Sequence, residues 1–117
     1  MTLQKFKESP LFLSEKEKHG FSDFDADIIW SVAMMQNEHI EGANDINGVR
    51  KAQIGARKIL ADKMNMSKTA KNALTSKVTT SDVFYAAEKG GLNDRETSIM
   101  FLFSVMLPHA HIEATSF

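Results

Sequence analysis

Apolar positions along this chain recur at three- and four-residue intervals, and nowhere do they alternate as they would along a half-buried strand. β-Branched residues do not cluster. Proline falls only at Pro10 and Pro108, so nothing between them forbids helix. The pattern predicts an all-α chain whose helix ends are marked by Ser, Asp, Asn and Gly. Residues 2–8 predict a short helix that Pro10 ends. Ser14 with Glu17 reads as a capping box for one or two more turns, and Gly20 breaks the chain. Ser22 with Asp25 opens a helix over 23–41, with Gly42 in the left-handed position beyond it. Asn44 or Asp45 starts the next helix, periodic to about Met64, and Asn65 supplies a left-handed stop. Ser67 caps a short helix to about Lys77. Thr80 or Ser81 starts another that Gly90 and Gly91 end. Asn93 with Glu96 opens the last, which runs to Leu107 and stops at Pro108.

The expected architecture is one domain over 1–117, a compact bundle of about five helices. A short N-terminal segment (1–13) precedes it and a loose tail (108–117) follows. The helix over 94–107 contains the run SIMFLFSVML and has no polar face, which places it at the centre with the others packed around it.

On the helix over 23–41, Phe24, Ile28, Val32 and Met35 share one face and predict a core stripe, with His39 on the same side as a hydrogen-bonded residue. Asp27, Ser31, Glu38 and Glu41 make the opposite face. Trp30 and Met34 fall on or beside it, an apolar pair that needs a partner, either another helix of the chain or a second protein. On the next helix, Ile46, Val49, Ala56, Leu60 and Met64 form the expected buried stripe. Opposite it, seven-residue spacing stacks Arg50 over Arg57 and Lys51 over Lys58, a ladder of four cations two turns apart.

Composition is that of a folded domain, 43% hydrophobic and 25% charged. Without cysteine there are no disulfides, thiolate metal sites or cysteine nucleophiles. No run is long enough for a signal peptide or a membrane span, so the expectation is a soluble cytoplasmic protein with no membrane partner. The net charge of −1 hides a segregation. Residues 1–49 carry a balance of −5, residues 50–77 of +7 and residues 78–117 of −3. The basic middle third is either neutralised by acidic faces of the same fold or is an anion-binding face.

Residues 57–74, RKILADKMNMSKTAKNAL, lie in that block and resemble a helix-turn-helix motif. Ala61 is the small residue at the crossing, Asn65 stands where the turn wants positive φ, Met66 plugs the turn, Ser67 caps the second helix and Leu74 anchors it. The resemblance implies a second helix whose outer face carries Lys68, Thr69, Asn72, Thr75 and Ser76, residue types suited to phosphate and base-edge contacts. The sequence departs from the motif at Asn65, where glycine is usual, and at Lys71, where an apolar residue normally packs.

Catalytic and metal-binding patterns are missing. Asp23, Asp25 and Asp27 mimic the start of a calcium loop, but Ile28 holds the required glycine position and Met34 that of the bidentate acid. There is no HExxH, ExxH, phosphate-binding loop or GxGxxG. Glu38 and Glu41 point away from His39, and His109 and His111 fall in the tail. No cofactor is expected. The reading is a small non-enzymatic protein that binds nucleic acid through residues 50–77. Arg50, Lys51, Arg57, Lys58, Lys68 and Lys71 would meet phosphates, and Thr69, Asn72 and Thr75 bases. Two alternatives stay open. One is a protein-interaction module, such as a phage-encoded inhibitor or adaptor of a host complex, with Trp30, Met34, Asp27 and Glu38 as contacts and the basic ladder on an acidic protein surface. The other is a self-assembling protein whose acidic and basic faces pair. A homodimer would also suit a reader of two DNA half-sites.

Overall fold

A computed structural model describes residues 1–76 and 91–111. Among them are six α-helices and no strand. The helix expected to start at Thr80 or Ser81 and run to Gly90, together with Lys77 and the tail from residue 112 on, lies outside the described residues.

Helix α1 (Leu3–Lys7) is capped by Thr2, and α2 (Pro10–His19) by Ser9, whose Oγ accepts the Phe12 N–H at 3.2 Å. Pro10 therefore starts a helix and does not end one. Its missing N–H would be unpaired in a first turn anyway, and its fixed φ suits the helix. Ser14, expected as a cap, lies inside α2. Gly20 ends α2 at φ 70°, a left-handed conformation that favours glycine.

Helix α3 (Asp23–Glu41) opens with the anticipated capping box: Ser22 Oγ accepts the Asp25 N–H at 3.1 Å and Asp25 Oδ2 accepts the Ser22 N–H at 2.8 Å. Its end differs from expectation. Gly42 is right-handed at φ −82°, because the chain turns directly back through the Ala43 N–H bonded to the Ile40 carbonyl. Asp45 caps α4 (Ile46–Lys63), its Oδ1 accepting the Gly48 N–H at 2.8 Å. Ser67 Oγ accepts the Ala70 N–H at the start of α5 (Lys68–Ser76). The box of Asn93 and Glu96 opens α6 (Asp94–Met106), and a 3-10 turn (Leu107–His109) follows. The Asn37 amide donates to the carbonyls of Leu107 and Ala110, tying that turn to α3.

Each helix sends at least one fully buried side chain into a common core: Phe6, Phe12, Ile29, Leu60, Leu74 and, from α6, Ile99, Leu102 and Met106. The radius of gyration, 13.9 Å, is that of a compact chain of this length. Helix α3 is the element the others share, since α1, α4, α6 and the 3-10 turn all pack on it. Among the described elements, α6 packs on α3, on the 3-10 turn and on α2, and it leaves Phe101 exposed. This arrangement rotates the expected face of α3. Ala26, Ile29, Trp30, Val32, Ala33 and Gln36 are buried, Ile28 and Met35 are half-buried, and Phe24 is 69% exposed. With neighbours on several sides, α3 buries the small Ala26 and Ala33, an arc that hydropathy alone does not locate. On α4 the expected stripe holds at Ala56, Leu60 and Met64. It fails at Ile46, which is exposed, and Val49 is half-buried. Among the described residues no helix is long and apolar enough to cross a membrane.

One buried carboxylate joins α6 to the turn before α5. Glu96 is only 3% exposed. Its Oε1 accepts the Asn93 N–H at 3.0 Å, capping its own helix, while Oε2 accepts the Ser67 N–H at 2.7 Å, just before α5. Burial disfavours the charged carboxylate, but the N–H groups of Asn93 and Ser67, the Ser67 hydroxyl and the Arg95 charge outweigh it and hold the group below the ordinary glutamate range. A depressed folded-state pKa contributes stability above the unfolded value, about 4.3, and that contribution is lost as pH falls through the folded one. Glu96→Gln, which turns an N–H donor toward a backbone N–H, is expected to cost about 1–3 kcal/mol in urea unfolding at neutral pH. The difference from the unmodified protein should shrink in acid; a pH-independent difference would contradict the charged role.

Candidate functional site

The basic block folds as a corner. Helix α4 ends at Met64, and Asn65 takes the left-handed conformation at φ 54°. The Met66 N–H then returns to the Ala61 carbonyl at 2.9 Å before Ser67 begins α5. Ala61 is buried at the crossing, and Leu74 anchors α5 in the core. Arg95 Nη1 donates to the Met64 carbonyl at 3.2 Å and its guanidinium lies 5.4 Å over the Phe21 ring. With Glu96 holding the Ser67 N–H, two adjacent residues of α6 grip the two ends of the turn.

The candidate anion-binding residues divide into two groups. Arg50, Lys51, Lys58, Lys68, Thr69 and Asn72 are exposed. Lys63, which periodicity alone did not single out, is exposed at the end of α4. The other candidates turn inward. Arg57 is 4% exposed and, with Gln36, Gln53 and Ser104, lines a cavity of about 20 Å³ against α6. The four-cation ladder is thus broken. Near the C-terminal half of α4 the neighbouring helices cover the side that carries Arg57, while nearer the tip the same side leaves Arg50 in solvent. Lys71 is half-buried and its Nζ meets Asp62 Oδ1 at 2.6 Å. Thr75 is half-buried and donates its hydroxyl to the Lys71 carbonyl at 2.8 Å.

The protein-interaction candidates do not form one open face. Trp30 is 5% exposed and belongs to the core, and Met34 packs against that core. Asp27 Oδ1 receives Lys7 Nζ at 2.6 Å, and Glu38 is exposed. The acids of α3 do not neutralise α4: among the described residues Arg50, Lys51 and Lys58 take part in no ion pair.

A second feature was not legible from spacing. An open groove of about 520 Å³ between α2 and α6 is lined by residues that include Glu15, His19, Ser98 and Phe101. Ser98 Oγ donates to Glu15 Oε2 at 2.9 Å, and His19 Nε2 stands 3.3 Å from the same oxygen. Glu15 and His19, four residues apart on a helix, are a recognisable pair, but Ser98 comes from a helix 83 residues away. The carboxylate sits between hydroxyl and imidazole, so the serine proton faces an acid and not a histidine base, an order unsuited to nucleophile activation. Among the described residues no three His, Asp or Glu side chains gather as a metal site. Set against protein-family models, curated proteins and solved structures, the chain matches none.

The turn makes a direct demand on position 65. Asn65→Ala should lower stability by about 1 kcal/mol, the cost of a left-handed alanine, while Asn65→Gly should preserve it. Thermal unfolding of both variants measures this, and equal losses would show that the side chain of Asn65, not its backbone, holds the turn.

Proposed function

We propose that this chain is a non-enzymatic nucleic-acid-binding protein whose α4–α5 corner contacts the phosphate backbone. The observation that carries the reading is a cluster of exposed cations. Among the described residues Lys58, Lys63 and Lys68 are exposed around the corner and in no ion pair, while Asp62 is held by Lys71 and Glu96 is buried against Arg95 and the Ser67 N–H. Exposed cations without local counterions attract a polyanion, and neutralising phosphates releases condensed salt ions. The corner geometry supports the reading further, since a short helix held across a longer one can reach a groove. Thr69 and Asn72 are exposed on α5 and available for base edges, whereas the Thr75 hydroxyl is bonded within its own helix. Among the described residues α5 carries no arginine, the commonest reader of guanine, so phosphate contact should dominate over base readout. Arg50 lies about 20 Å along α4 from Lys63, at 1.5 Å per residue, and together with Lys51 adds to attraction at longer range.

Fluorescence anisotropy with labelled random duplex and single-stranded DNA, repeated across a salt series, tests the proposal. Binding should be micromolar or tighter at low salt and fall steeply as salt rises. Lys58→Gln combined with Lys68→Gln should weaken it on all sequences alike and reduce the salt slope by about 2. An absence of binding at low salt, or a slope unchanged in the double variant, would defeat the proposal.

A further inference from the structure

The end of the α3–α4 hairpin stands clear of the body. From residue 38 to residue 51 no side chain is buried; the first buried ones on either side are Gln36 and Ala52. This tip has apolar residues that lack a core. Ile46 is 61% exposed in the first turn of α4, with Ile40 and Val49 half-buried beside it. The tip also carries both signs of charge on separate arms of the hairpin. Glu38 and Glu41 close α3 and Asp45 follows in the turn, whereas Arg50 and Lys51 begin α4. Among the described residues none of these five is in an ion pair.

A partner of one sign would satisfy half of this surface and repel the other half. A polyanion is a poor fit, because three acids face it with two bases. The complementary surface must present bases opposite the acids and acids opposite the bases, around an apolar centre. A second copy of the same tip, related by a two-fold axis, presents that arrangement without any further requirement, since an isologous contact makes every pairing twice. We infer that the α3–α4 tip is a homodimer contact, with Ile46 at its centre and the acidic end of α3 in one copy against the basic start of α4 in the other. Two hairpin tips then form a short four-helix contact. Fourteen residues a side fall below the 20–30 of a standard interface, so the dimer should be weak, in the micromolar range. The inference does not rest on nucleic-acid binding, whose direct contacts are assigned to Lys58, Lys63 and Lys68.

Sedimentation equilibrium of the full chain without nucleic acid, from micromolar to submillimolar concentration in low salt, tests it. The unmodified chain should pass from monomer to dimer. Ile46→Asp, an exposed change that leaves helicity in circular dichroism intact, should raise the dissociation constant about tenfold or more. The pair Glu38→Lys and Glu41→Lys should be monomeric, as should Arg50→Glu with Lys51→Glu, while an equal mixture of the two chains should form a heterodimer. A chain that stays monomeric throughout, a dimer indifferent to Ile46→Asp, or a mixture that fails to associate would each overturn the inference. Loss of dimer in Ile46→Asp with retained DNA binding would separate this surface from the corner.

Discussion

Glu96 joins α6 to the turn before α5, 29 residues earlier in the chain. One oxygen caps the helix that carries it, and the other takes the last free amide before α5. Helix α5 buries only Ala70 and Leu74, too little apolar surface to set its own direction firmly. Its orientation therefore depends on the turn, and the turn depends on Glu96 and on its neighbour Arg95. A carboxylate can occupy this buried place because charge-assisted bonds from backbone N–H groups replace its lost hydration. Among the described residues no buried side-chain polar atom lacks a hydrogen-bond partner, so the core accommodates Glu96, Gln36 and Arg57 without leaving an unsatisfied group.

The charge segregation becomes more specific in three dimensions. Lys7 and Lys16 spend their charge on Asp27 and Asp23 of α3, and Lys71 on Asp62. Such partly exposed pairs contribute little stability, but each removes a charge from the field outside. Among the exposed charges left unpaired in the described residues are a cationic corner around Lys58, Lys63 and Lys68, and a hairpin tip of mixed sign around Ile46. Those two surfaces are the basis of the two functional proposals, and they occupy opposite ends of α4.

Helix boundaries were legible wherever a side chain satisfies the backbone locally. Ser22 with Asp25, Asp45, Asn65, Ser67 and Asn93 with Glu96 all act where their spacing placed them, because a cap is a contact within four residues. Pro10 misled because its position at a helix start and its position after a helix end look alike until Ser9 is seen to cap. Buried faces were less legible. Phe24 is more apolar than Ala26, yet Ala26 is inside, because the placement of neighbouring helices, and not hydropathy, decides which arc of α3 is covered. The corner was readable from the turn chemistry of residues 61–67. The inward turn of Arg57 and the grip of α6 on the turn were not, since both depend on which helices become neighbours. The Ser98–Glu15 bond is of the same kind.

The central claim is that the α4–α5 corner, held by α6, meets phosphate. Amide chemical-shift mapping during titration with a short DNA duplex addresses it most directly. The account predicts that perturbations concentrate on residues 58–72, with Lys58, Lys63, Lys68 and Thr69 among the largest, and that added salt reverses them. Shifts confined to the groove of Glu15, His19 and Phe101, or none at low salt, would contradict it.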